Sequence, residues 1–111
     1  MIDDPCSIDA IGFRKDGGAD LLIVSSGPLD DSPETQDLLL DKIEGYLSYI
    51  NSAEFRAERP RATVENTHII LRLEERPPAS MGELFQKIAS WTAAYNASFF
   101  AEVRERKERA E

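Results

Sequence analysis

The clearest hydrophobic pattern in this chain runs from Ser32 to Ile50, where apolar residues return every three or four positions. This spacing is typical of an amphipathic helix whose apolar stripe faces a core. Ser32 followed by Pro33 favours a helix start, because serine caps free amides and proline lacks the N–H that would go unpaired. The predicted core face consists of Leu39, Leu40, Ile43, Tyr46, Leu47 and Ile50.

The opposite side of this helix is acidic, since four carboxylates recur at helical spacing. A plain solvated face is the simpler interpretation, and docking of a basic partner is the functional one. Leu38 and Tyr49 lie beside the acids and would supply apolar contact. The candidate partner surface therefore comprises Glu34, Asp37, Leu38, Asp41, Glu44 and Tyr49.

Shorter apolar runs on either side of this helix predict strands. Residues 8–13 and 19–25 flank a turn that contains Gly17 and Gly18, which predicts an antiparallel hairpin over residues 8–26. Residues 67–74 predict a third strand, in which Ile69, Leu71 and Leu73 face one side and His68, Ile70 and Arg72 face the other. Residues 52–64 hold Phe55 among charges and are predicted to form a loop with one short turn.

A second helix is predicted after Pro77-Pro78. Ser80 and Glu83 have the spacing of a capping box, in which each side chain bonds the other residue's backbone amide. The apolar face is expected to continue to Phe99, with Trp91 buried against the third strand. Residues 102–111 carry equal numbers of acids and bases and are expected to form an exposed helical or frayed tail. The apolar face of this helix would comprise Leu84, Phe85, Ile88, Trp91, Thr92, Tyr95 and Phe99.

These elements predict an α+β protein of order β-β-α-β-α. A three-stranded sheet with an N-terminal hairpin would have one face covered by two helices. We expect a single domain over residues 1–101 and a charged tail over residues 102–111.

Charge and composition narrow the range of functions. The 111-residue chain has a net charge of −8, and all of it falls within residues 1–50. An acidic protein is repelled by the negative charge of nucleic acids and anionic membranes, so neither is an expected partner. The acidic first residues and the lack of long apolar runs favour a cytoplasmic protein. Cys6 is the only cysteine, which rules out an internal disulfide.

The side chains that usually carry catalysis are sparse. His68 is the only histidine and falls within a predicted strand, where a surface or packing role is commoner than a catalytic one. Asp3-Asp4 and Asp30-Asp31 lack the alternating spacing of a calcium loop. Gly17-Gly18 lies outside any phosphate-binding pattern. The sequence therefore predicts no catalytic residues, no metal and no cofactor.

Several of these residues resemble a small bacterial family known only as domain of unknown function 6572. The resemblance extends over roughly residues 5–95 and implies an α+β fold, with no established activity. Asp31 stands where members usually have tryptophan, and Ala53 is near a position where they tend to have glycine. The residues that carry the resemblance are Ile8-Asp9-x-Ile11-Gly12, Leu29-Asp30, Leu39, Lys42-Ile43-x-x-Tyr46-Leu47-x-x-Ile50 and Pro60.

Two functions fit these observations. The first is a non-catalytic protein–protein interaction module, of the small acidic kind seen among immunity proteins and secretion chaperones. Its partner would be an unknown protein, basic in character, or a second copy that forms a homodimer through the first helix. The alternative is a small-ligand-binding protein or enzyme with a pocket between the two helices and the sheet, lined by Tyr46, His68, Trp91 and Tyr95.

Overall fold

A computed structural model describes residues 9–25 and 32–103 of the chain. The predictions that concern Cys6, Asp3-Asp4, Leu29-Asp30 and most of the charged tail lie outside these ranges. The described elements are β1 (Ala10–Phe13), β2 (Ala19–Ser25), α1 (Pro33–Ile50), α2 (Ala53–Glu58), β3 (Thr67–Leu73), α3 (Met81–Ala94) and β4 (Ser98–Val103).

The four strands form one mixed sheet in the order β1-β2-β3-β4. The β1–β2 pair is antiparallel, as the hairpin prediction requires, whereas β2–β3 and β3–β4 are parallel. Parallel neighbours need a connection that crosses back over the sheet. α1 and α2 make the first crossing, and α3 makes the second.

All three helices cover the same face of the sheet, which we call the covered face. On β2 and β3 the odd-numbered residues are buried and the even-numbered residues are half-buried, because successive side chains point to opposite faces. Residues from α1, α2 and α3 join the odd-numbered residues in one hydrophobic core. The even-numbered side chains define the open face, over which no described element packs.

The turn of the hairpin needs glycine at both of its glycine positions, for two different reasons. Gly17 has a φ of +96°, a conformation that L side chains rarely adopt. Gly18 does not have a positive φ, but a Cβ there would collide with the carbonyl group of Asn66. That carbonyl accepts a hydrogen bond from the Ala19 amide at 3.0 Å, so the turn is fixed against the loop before β3.

Helix α1 begins as its sequence predicts. The Ser32 hydroxyl accepts a hydrogen bond from the Thr35 amide at 3.2 Å, and Pro33 occupies the first turn. The helix ends at Ile50, and its buried face includes the predicted Leu39, Ile43, Tyr46, Leu47 and Ile50, with Leu40 half-buried.

The segment after α1, which was predicted to be a loop with one short turn, contains a short helix. Residues 53–58 form α2, which begins with a second serine cap: the Ser52 hydroxyl accepts a hydrogen bond from the Phe55 amide at 3.2 Å. Phe55 is completely buried and anchors this short helix to the core. Six residues are too few for a periodic apolar pattern, so the sequence showed only an isolated apolar residue among charges.

The largest correction concerns the end of the chain. The predicted second helix, α3, stops at Ala94, and Ser98–Val103 form β4, so the sheet has four strands instead of three. Asn96 ends the helix with a φ of +74°, a left-handed residue that asparagine tolerates. β4 extends two residues beyond the predicted domain boundary at residue 101. The predicted capping box is also absent, because the Ser80 side chain makes no capping hydrogen bond.

Candidate binding surface on helix α1

The acidic residues predicted for the partner surface all lie exposed on α1. Glu34, Asp37, Asp41 and Glu44 follow one side of the helix, over a length of about 15 Å. Leu38, beside them, is 37% exposed, which is high for a leucine. The predicted stripe therefore exists as a continuous acidic surface with one apolar side chain at its margin.

Tyr49, the remaining predicted surface residue, is only half-buried and faces α2. Its ring meets Phe55 edge-on, with centroids 5.2 Å apart. Burial raises the pKa of the Tyr49 hydroxyl, and the carboxylates of Glu58 and Glu54 raise it further. Because α2 covers one side of the ring, Tyr49 belongs to the contact between α1 and α2 more than to the acidic stripe.

The acidic stripe leads into a groove between α1 and α3. Glu44 forms part of the α1 wall, while Trp91 and Tyr95 form the α3 wall. Tyr95 is 51% exposed, so an aromatic surface is available to a partner. The groove has a volume of about 310 Å³ and is lined by Glu44, Leu47, Ser48, Asn51, Trp91 and Tyr95.

Two asparagines fix the end of this groove. The side-chain Nδ2 of Asn51 donates to the Tyr95 carbonyl at 2.9 Å, and the side-chain Nδ2 of Asn96 donates to the Asn51 side-chain oxygen at 2.7 Å. These bonds hold the C-terminal ends of α1 and α3 together. Trp91, which was predicted to be largely buried, is partly buried: it packs against the hydrophobic core and leaves part of its surface in the groove wall.

A polar cluster lies beneath α1, and the apolar pattern of the sequence alone does not predict it. The Lys42 side chain is completely buried, and its Nζ lies 3.0 Å from an Asp9 carboxylate oxygen. The other Asp9 oxygen accepts from the Val24 amide at 2.9 Å. The Tyr46 hydroxyl donates to the Leu22 carbonyl and accepts from the Asp9 amide. The cluster therefore joins α1 to β2 and to the residue before β1.

The protonation of this cluster follows from its surroundings. Burial opposes the charge of Asp9, but contacts that include the Val24 amide and the Lys42 ammonium hold the pKa of Asp9 below its ordinary value. Burial raises the pKa of Tyr46 to about 12, and the nearby Asp9 carboxylate adds to the rise. At neutral pH the carboxylate is ionised and the phenol is neutral, so the cluster is a stable ion pair with a fixed hydroxyl.

Two signals in the sequence pointed to this cluster. Lys42 lies only about 40° from Tyr46 around the helix, whereas the apolar Leu40 lies about 120° away. Asp9, Lys42 and Tyr46 are also among the residues that carry the family resemblance. The resemblance therefore includes a structural contact between α1 and the hairpin.

The pocket residues proposed for the alternative function do not come together. Trp91 and Tyr95 share the groove. Tyr46 is buried between α1 and the sheet, and His68 lies on the open face. His68 Nδ1 is 2.9 Å from an Asp20 carboxylate oxygen, and Nε2 is 3.0 Å from the Glu65 carbonyl. Both ring nitrogens have neighbours already, so His68 cannot serve the groove.

Neither a metal site nor a membrane span is found in the part of the chain that the structure describes. No three acidic, histidine or cysteine side chains gather there in a way that could hold a metal ion. Among the helices of residues 9–25 and 32–103, none is long and apolar enough to cross a membrane.

The fold and this surface define a two-layer α+β protein with one helix-covered and one open sheet face. The chain belongs to the family of unknown function DUF6572, which matches residues 1–105. Neither the curated proteins nor the solved structures contain a match to this chain.

Proposed function

We propose that this protein is a non-catalytic protein–protein interaction module that binds a basic segment of a partner protein along α1. The observation that carries the proposal is the continuity between the exposed acidic stripe and the groove that Trp91 and Tyr95 line. Charge of one sign speeds the encounter with an oppositely charged partner. Tryptophan and tyrosine are the side chains that most often provide the burial energy at an interface.

The groove also indicates what the partner should present. A lysine or arginine would meet Glu44 at the groove wall, and an apolar side chain would pack between Trp91 and Tyr95. Further basic residues, spaced along a helix or an extended segment, would follow the stripe towards Glu34. Tyr49 would contribute less than the acidic residues to this surface, because α2 already covers one side of its ring.

Affinity capture from the native host tests this proposal when two charge-reversed variants are compared. Asp37→Lys with Asp41→Lys should lose the captured protein or slow its association. Glu65→Lys with Glu75→Lys makes the same change in net charge at exposed positions elsewhere and should retain it. Tyr95→Ala should chiefly raise the dissociation rate, since it removes burial and leaves the charge unchanged.

The outcomes separate this function from its alternative. Equal capture by both charge-reversed variants would contradict binding through α1. A small molecule that co-purifies with the wild type and is lost in Trp91→Ala, with no protein captured, would favour ligand binding in the groove. Circular dichroism of each variant shows whether the fold is retained.

A further inference from the structure

The two edges of the sheet differ in how well they are protected from pairing with another strand. β1 has four residues and includes Gly12, which weakens a strand. A short edge strand is a common way to limit further pairing. β4 has six residues and pairs with β3 in unbroken register from Ser98 to Val103, so no bulge twists it away.

β4 also contains no proline and a single charged residue, so it has few of the features that usually protect an edge. Its sequence is Ser-Phe-Phe-Ala-Glu-Val, and its one charged residue, Glu102, lies 3.7 Å from Arg72 of the neighbouring strand. The outer N–H and C=O groups of β4 have no strand partner among the described residues. Such a row of backbone groups is a template for one more strand.

Apolar side chains flank this edge on both faces of the sheet. Phe100 is 49% exposed on the open face, and Val103 is 38% exposed on the opposite face, beyond the cover of α3. On the open face Phe100 continues a row that includes Ile70 and Leu22 on the neighbouring strands. An added strand would bury apolar surface on both sides while its backbone completed the hydrogen bonding.

We propose that β4 pairs antiparallel with β4 of a second copy of this chain, around a twofold axis at Phe100. In this register Phe100 lies opposite Phe100 of the second copy, and Phe99 lies opposite its Ala101. Ser98, whose hydroxyl donates to the Val64 carbonyl, lies opposite Glu102 of the second copy, so no like charges meet in this pair. The strand is therefore complementary to itself, and the two glutamates do not face each other.

The dimer joins the two sheets into one and makes their open faces continuous. Pairing through the same strand in both copies is isologous, so it closes at two subunits and does not extend into a fibre. This interface shares no residue with the α1 stripe and the groove of the proposed function, so the two can be tested independently. An interface built around one strand is small, so we expect reversible association.

Sedimentation of the full chain over a concentration series, from low micromolar to sub-millimolar, tests the proposal. Wild type should form a dimer, and Phe100→Lys should weaken it by at least about tenfold, because two lysines would meet at the axis. Phe13→Lys is the matched control: Phe13 is also exposed and lies on the other edge strand. This control should dimerise like the wild type.

Cross-linking tests the axis itself. In a Cys6→Ser background, Phe100→Cys should form a covalent dimer on mild oxidation, and Phe13→Cys should not. A monomeric wild type would overturn the proposal. So would a dimer that survives Phe100→Lys, or one that Phe13→Lys disrupts, since each would place the contact elsewhere.

Discussion

The two faces of the sheet contrast within a single strand. On β3, Ile69, Leu71 and Leu73 are at most 1% exposed beneath the helices, while Ile70 and its even-numbered neighbours remain half-buried on the open face. Both sets follow from the same alternation of side chains. The difference between them comes only from the helices. An apolar side chain in a strand can therefore be buried or left partly exposed, and the packing of helices on the sheet decides which.

Ion pairs show the same contrast between the two faces. The Lys42–Asp9 pair lies beneath α1, with its side chains 0% and 8% exposed. The Arg72–Glu102 pair on the open face is 32% and 35% exposed, and its charged groups are 3.7 Å apart. Solvent screens the attraction within the open-face pair. The two charges of the buried pair have lost their hydration, and their contact with each other compensates for that loss. Two ion pairs of similar residue types are therefore expected to contribute differently to the free energy of unfolding.

The largest expected effect comes from breaking the buried pair. Lys42→Ala should reduce the free energy of unfolding by about 3–5 kcal/mol, because it leaves the nearly buried Asp9 carboxylate without the Lys42 ammonium. Arg72→Ala on the open face should cost less than about 1 kcal/mol. Chemical denaturation of both variants measures the difference. Equal losses would show that the two pairs are equally solvated.

An apolar truncation on each face gives the next largest effect. Leu71→Ala removes a fully buried side chain on the covered face and should cost about 2–5 kcal/mol, because it leaves a cavity. Ile70→Ala, the next residue along the strand, should cost about 1 kcal/mol, since water already reaches part of its side chain. The pair is matched for position and strand. A loss in Ile70→Ala as large as that in Leu71→Ala would mean that another chain covers the open face, which the edge-to-edge β4 dimer does not do.

The smallest expected effect is a change in acid stability. The folded protein lowers the pKa of Asp9 below 3.8, so ionised Asp9 contributes stability above that pH and loses the contribution as pH falls through the folded value. The melting temperature of the wild type should therefore decline more steeply than that of Asp9→Asn between about pH 5 and about pH 2. Parallel declines would show that Asp9 titrates alike in the folded and unfolded chain.

Local signals predicted the first half of the described fold correctly. The hairpin follows from two β-rich runs around a glycine turn, and α1 follows from a serine cap, a proline and a regular apolar period. Each of these features involves neighbours in the sequence. The acidic stripe was also predictable, because helical spacing alone places its members on one side.

The error after Tyr95 shows where local signals fail. Phe99 follows Tyr95 by four residues, so its position fits a helical face as well as it fits a strand. Asn96 was the available signal, since asparagine readily takes the left-handed conformation that ends a helix. Pairing with β3 then makes residues 98–103 a strand, and that pairing is a long-range contact.

The sequence by itself determined the hairpin, the limits of α1 and its division into an apolar and an acidic side, because these depend on local backbone preferences and on periodicity. Only the tertiary structure decided that Lys42 is buried against Asp9, that Trp91 lines a groove, and that β4 is an edge strand of the sheet formed by the described residues. Each of these depends on segments far apart in the chain, and their contact energy is absent from any single stretch of sequence.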